Sequence, residues 1–176
     1  MAGSSDVRNI KLGVCRVTFG GVDLGYTKGG VDVSITTETH EVNVDQYGDT
    51  PVNDFITSRK VQVTVPLAET TLENAIQIMP GASLVVDLED TSKRRIEVPT
   101  ASGTSMLDIA KELVLHPVTN EAWEREDDFV LYKCATSGTV EFSYKHDEEK
   151  IFPVTFKGYT DDRGRLFAMG DITATA

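Results

Sequence analysis

The sequence predicts a mainly β fold: an antiparallel β-sandwich or partial barrel with one flanking α-helix. Three observations predict it. Short runs with period-two alternation recur along the chain, clusters of Gly, Asp, Ser and Pro separate them, and only one stretch combines helical spacing with a start signal. The 176 residues, 40% hydrophobic and 26% charged, suit a single domain over 1–176 with its own core.

Met1 to Val7 is small and polar and reads as a flexible N-terminal arm. Val14 to Phe19 alternates, with Cys15, Val17 and Phe19 on one face and Arg16 and Thr18 on the other, as a half-buried strand does. Gly20-Gly21 turns it, and Val22 to Thr27 is the expected hairpin return. From Val31 a long polar strand places Val33 and Ile35 inwards and Asp32, Ser34 and Thr36 outwards. Beyond Glu38 the apolar positions become Val42 and Val44, a slip of one residue that predicts a bulge or a change of packing environment.

Gln46 to Val52, with Gly48 and Pro51 as breakers, reads as a loop carrying one large aromatic, Tyr47. Ser58 to Leu67 is the clearest strand: Arg59, Val61, Val63, Val65 and Leu67 share one side, and Ser58, Lys60, Gln62 and Thr64 the other. The helix follows. Thr70 with Glu73 fits a capping box, Leu72, Ala75, Ile76 and Met79 recur at helical spacing, and Pro80-Gly81 ends the run.

Leu84 to Leu88 and Ile96 to Val98 are expected strands around a polar turn, and Leu113 to His116 another, with Met106 to Glu112 readable as helix or extended chain. Pro117 to Asp128 reads as a solvated polar loop around Trp123. Phe129 to Cys134, Thr139 to Lys145, Ile151 to Phe156 and Arg165 to Met169 complete the strands.

Composition narrows function. A net charge of −11 with only Lys93-Arg94-Arg95 as a basic run opposes phosphate-backbone binding. Cys15 and Cys134 lie in apolar strands and are expected as buried free thiols; no signal peptide or membrane-length apolar run is visible, so a soluble protein made in a cytoplasm is expected. Between Glu38 and Asp54, His40 with Glu41, Asp45 and Asp49 forms no plausible metal site, since adjacent strand residues point to opposite faces. Nucleotide, hydrolase, redox and metalloprotease motifs are absent, and no nucleophile is paired with a base, so no catalytic, metal or cofactor site is assigned and an enzyme is not expected.

The stretch VDVSITTETHEVNVDQYGDTPVNDFITSRKVQVTVPLAETTLENAIQIMPG resembles the corresponding region of the major tail tube proteins of tailed bacteriophages. KELVLHPV and FVLYKCATSGTVEFSYKHDEEKIFPVTFKGYTDDRGRLFAMGD are similar in order and character to that family's C-terminal half, so the resemblance runs over roughly Gly13 to Asp171. It implies a structural virion protein with a sandwich and one flanking helix. Such proteins form hexameric rings whose inner sheets join into one barrel, and the rings stack into a hollow tube that conducts DNA. Loops and terminal arms make the contacts between rings.

On that footing Asp32, Ser34, Thr36, Glu38, Lys60, Gln62 and Thr64 are the lumen-facing candidates, with Lys60 expected to pair with an acid across the strands. Gln46, Tyr47, Gly48, Asp49 and Trp123 are the ring or stack contact candidates. The implied partners are further copies of the chain, then tail terminator, distal tail, tape-measure or sheath proteins, with DNA as transit cargo and no membrane. A tailocin or type VI-like secretion tube shares these expectations. A ligand-binding β-sandwich is the alternative from another class, and would show a concave cluster of Tyr26, Tyr47 and Trp123.

Overall fold

Residues 10–100 and 102–175 are described by a computed structural model of the chain. The expected arm, Met1 to Val7, lies outside these residues. The elements run β1 (Cys15–Phe19), β2 (Val22–Asp23), β3 (Asp32–Asn43), β4 (Pro51–Leu67), α1 (Leu72–Ile78), β5 (Ser83–Val86), β6 (Arg94–Glu97), β7 (Lys111–Pro117), β8 (Phe129–Thr136), β9 (Phe152–Tyr159) and β10 (Phe167–Met169). The architecture is mainly β and antiparallel with one helix, as the alternation predicts.

One 8-stranded sheet has the order β2-β1-β7-β8-β9-β4-β3, with β10 added on β8, and β5-β6 form a separate 2-stranded sheet. The large sheet curls without closing into a barrel. Phe19 of β1 and Phe156 of β9 touch at 4.9 Å between ring centroids, although two strands separate them and a flat sheet spaces neighbouring strands by about 4.8 Å. Leu24, fully buried, heads the segment that crosses the open mouth, and Thr27 then bridges to Leu67.

The core lies inside this curl. Val17 and Phe19 of β1, Val61, Val63, Val65 and Leu67 of β4, Leu113 and Leu115 of β7, Leu131 of β8 and Phe152, Val154 and Phe156 of β9 form one buried cluster. Each row is the apolar phase of a period-two strand, so alternation sets which side chains meet. Helix α1 adds Ala75 and Ile78.

The helix begins one residue later than expected. Thr71, not Thr70, is the cap, its hydroxyl accepting from the Asn74 N–H at 3.2 Å. The buried face is Asn74, Ala75 and Ile78. Asn74 accounts for the shift, since its side-chain amide donates to the Leu24 and Glu69 carbonyls at 2.9 and 2.8 Å and ties the helix to the mouth-crossing segment. Glu73 pairs with Arg94 instead of closing a capping box.

Other expectations need correction. The return strand after Gly20-Gly21 is only Val22–Asp23, because the chain then leaves to cross the mouth. Val33 and Ile35 are 40% and 43% exposed, not inward-facing in a closed core: β3 is the last strand of the sheet, and none of the described residues covers them. Pro51 and Val52 belong to β4, which starts well before Ser58. Thr139 to Lys145 forms no strand and is irregular chain. Of Met106 to Glu112, the part from Met106 to Ile109 is turn and neither helix nor strand, while Lys111 and Glu112 already belong to β7. Cys134 is buried as expected, and that burial, with the Glu112 carboxylate adding, pushes its thiol up to about 12; Cys15 is only half-buried.

Two variants test this account. Phe156→Ala removes the ring that spans the curl and is expected to cost about 3–5 kcal/mol in chemical denaturation. Asn74→Ala leaves the buried Leu24 carbonyl and the part-buried Glu69 carbonyl without their donor and is expected to cost about 1–3 kcal/mol; an unchanged midpoint would refute its role in seating the helix.

Candidate functional site

The pairing register decides which polar residues share a surface. β3 and β4 pair Asp32 with Thr64, Ser34 with Gln62, Thr36 with Lys60 and Glu38 with Ser58. Residues opposite each other in an antiparallel pair point to one face. All the lumen-facing candidates therefore lie together on the face opposite the buried Val61 and Val63. Lys60 pairs with Glu38 at 2.7 Å, the cross-strand acid expected for it.

Hydrogen bonds from Lys60 and Ser58, then the Lys60 charge, hold the Glu38 carboxyl below the usual range. The neighbouring strand extends this face with residues the sequence reading passed over. Lys157 stands opposite Gln62, and Thr155 opposite Thr64 with their hydroxyls 3.3 Å apart. The period-two phase of β9 carried that signal. Asp32 and Glu38 are thus balanced by Lys60 and Lys157, and the face is polar and close to neutral, although the chain as a whole is acidic.

β9 accompanies β4 only from Gln62 to Leu67. Before Gln62, β4 pairs with β3 alone, and the two strands form a ribbon projecting about 30 Å at ~3.3 Å per residue. The slip predicted after Glu38 is a bulge in this ribbon: Glu38 pairs with Ser58 but Thr39 with Ile56, leaving Thr57 over. The Thr57 hydroxyl donates to the Glu38 carbonyl at 3.1 Å. Beyond the bulge Phe55 and Ile56, on opposite faces, are 59% and 56% exposed. His40 and Glu41 stand opposite Phe55 and Asp54, so the ribbon separates rather than gathers the polar groups once weighed for metal binding.

At the tip, Asp45–Tyr47 makes one 3-10 turn and Gly48 takes φ 61°, ψ −135°, a backbone region open to glycine. Gln46, Tyr47, Gly48 and Asp49 are brought together here, with Tyr47 exposed. Trp123 is also exposed, but in the β7–β8 connection, with β9 and β8 between it and the ribbon. Because β4 and β8 run parallel across β9, their starts lie at one end of the sheet, and both contact regions leave from that end.

The loop around Trp123 is not solvated throughout. Asp128 is buried, its carboxylate 2.6 Å from His116 Nδ1, and His116 Nε2 is buried with no hydrogen-bond partner among the described residues, beside a cavity of about 290 Å³ lined by Arg16, Thr18, Glu112 and Arg125. The β1–β7 register sets Arg16 opposite His116, and the β7–β8 register brings Asp128 beside it, so residues separate in sequence meet at the back of the sheet. The basic run is spent on local ion pairs: Lys93 with Asp90, Arg94 with Glu73 and Arg95 with Glu97.

Comparison of the chain with models of known protein families and with curated protein sequences gives no match. No helix among the described residues is long and apolar enough to cross a membrane.

The Glu38 pairing makes a pH prediction with a definite sign. A carboxyl held low in the folded state contributes stability above its unfolded pKa and loses it as pH falls through the folded value. Lys60→Ala is expected to return the Glu38 pKa towards the ordinary glutamate range in an NMR titration, and an unshifted titration would show that the pair is not formed in solution.

Proposed function

We propose that this protein is a self-assembling tube subunit of the major tail tube type, a virion component whose hexameric rings stack into a hollow conduit for DNA. The single observation that carries this reading is the β3–β4 ribbon. A two-stranded ribbon has no core of its own and is marginal alone in water. This one exposes Val52, Phe55 and Ile56 together with a 12-residue edge strand. A long exposed edge invites pairing with another chain. Repeating one heterologous contact around a closed ring supplies the partner at every edge and leaves none open.

The charge distribution supports the same reading. The face shared by Asp32, Ser34, Thr36, Glu38, Lys60, Gln62 and Thr64 is polar and near neutral, so a polyanion passing along it meets neither a row of attracting cations nor a strongly repelling wall. The net charge of −11 keeps the chain as a whole from binding DNA as a ligand. Gln46, Tyr47, Gly48, Asp49 and Trp123, leaving from one end of the sheet, serve as contacts to the next ring. Tail terminator, distal tail, tape-measure or sheath proteins are the expected partners at the tube's ends and surfaces.

Size-exclusion chromatography with negative-stain electron microscopy of the purified chain tests the proposal: rings or hollow rods are expected, and a monomer that never polymerises at high concentration overturns it. Tyr47→Ala and deletion of 46–50 are expected to leave the fold intact and to shorten or abolish rods. Rods of wild-type length from both would remove the tip from the contact set.

A further inference from the structure

We infer that Thr139 to Lys145 is a strand held in reserve, which pairs along β3 of a neighbouring copy when the chain assembles; this rests on the self-assembly reading above. The segment alternates Val140, Phe142 and Tyr144 against Glu141, Ser143 and Lys145, yet it is irregular in the single chain, with Phe142 and Tyr144 exposed. A strand pattern without a ladder lacks only an edge to pair with. Among the described residues the same molecule carries an edge without a partner, β3, whose Val33 and Ile35 stay exposed beside the fully buried Val63 and Val61 opposite them. The sheet's other edge strands, β2 and β10, have 2 and 3 residues and offer no ladder of comparable length.

The two segments match in detail. Pairing them antiparallel with Phe142 opposite Ile35 sets Tyr144 opposite Val33, Ser143 opposite Ser34, Glu141 opposite Thr36 and Lys145 opposite Asp32. The aromatic rings then cover the two exposed apolar residues on the core-side face, and opposite charges meet on the polar face. The polar row of β3 and β4 is thereby continued across the subunit boundary.

Position agrees with this. β3 begins, and β8 delivers the segment, at the same end of the sheet, so a neighbour displaced sideways presents one to the other without a change of height. In the single chain Lys150 keeps the segment folded back: its ammonium lies 4.5 and 4.6 Å from the Phe142 and Tyr144 ring centroids and 5.1 Å from that of Phe152, and it donates to the Tyr144 hydroxyl at 3.1 Å. Glu149 is tied to Lys28. The Lys150 and Glu149 side chains lie at the surface, whereas Val140 packs on the core and Phe142 meets the buried Phe152 at 5.2 Å. The segment leaves these contacts in exchange for a main-chain ladder and for the apolar cover it gives Val33 and Ile35.

The test is a disulfide between copies. Opposed residues in a ladder stand close enough for one, and Ser34 and Ser143 are both exposed. Ser34→Cys and Ser143→Cys chains are mixed, assembled and mildly oxidised, then run on a non-reducing gel. A cross-linked dimer from the mixture, absent from either variant alone and from the wild type, is the expected result. Rods that assemble with no such dimer overturn the inference while leaving the tube reading in place. Dimers from Ser34→Cys alone overturn it in favour of β3 pairing with β3, and a disulfide closing within one chain of the double variant overturns it in favour of an internal strand. A chain that forms no assemblies by microscopy removes both readings.

Discussion

The row Val61, Val63, Val65 and Leu67 on β4 is the constraint on which the remainder of the structure depends. These side chains are almost wholly buried between the curled sheet and the mouth-crossing segment. A period-two strand that commits one face to a core commits the other face outwards, so burying this row sets Lys60, Gln62 and Thr64 on the outer surface with no further choice. β3 takes its register from β4 and brings Asp32, Ser34, Thr36 and Glu38 to the same side. The core and the polar face are two consequences of one alternation.

The same strand outruns its core. β9 leaves β4 beyond Gln62, and the ribbon that continues has water on both faces. The bulge at Glu38–Thr39 marks the passage from one environment to the other, because the rule that placed valines inwards stops where there is no inside. What remains is a surface with apolar residues on each face and an unpaired edge. In the tube-subunit proposal neighbouring copies would cover that surface, Phe55 and Ile56 included.

The outer face also differs from the simple acidic wall that the chain's charge would imply. Lys60 and Lys157 offset Glu38 and Asp32 there, and much of the excess acid lies in the ribbon, the turns and the loops. Under the tube proposal, local neutrality of this kind gives a passing polyanion no site at which to rest.

Much was legible in the sequence alone. Alternation identified β1, β3, β4 and β9, the antiparallel class and the shared polarity of the candidate face, since period two is a local property of the backbone, and the apolar run from Phe129 to Cys134 identified β8. The phase slip after Glu38 located the bulge for the same reason. Only the tertiary structure decided the rest. It alone put Lys157 beside Gln62 and buried Asp128 against His116, because cross-strand neighbours are far apart in sequence. It moved the helix cap to Thr71, because Asn74 finds its partners in the mouth-crossing segment. It also left Thr139 to Lys145 irregular and Val33 and Ile35 exposed, because a strand pattern becomes a strand only where an edge is free to receive it, and burial requires something on the other side.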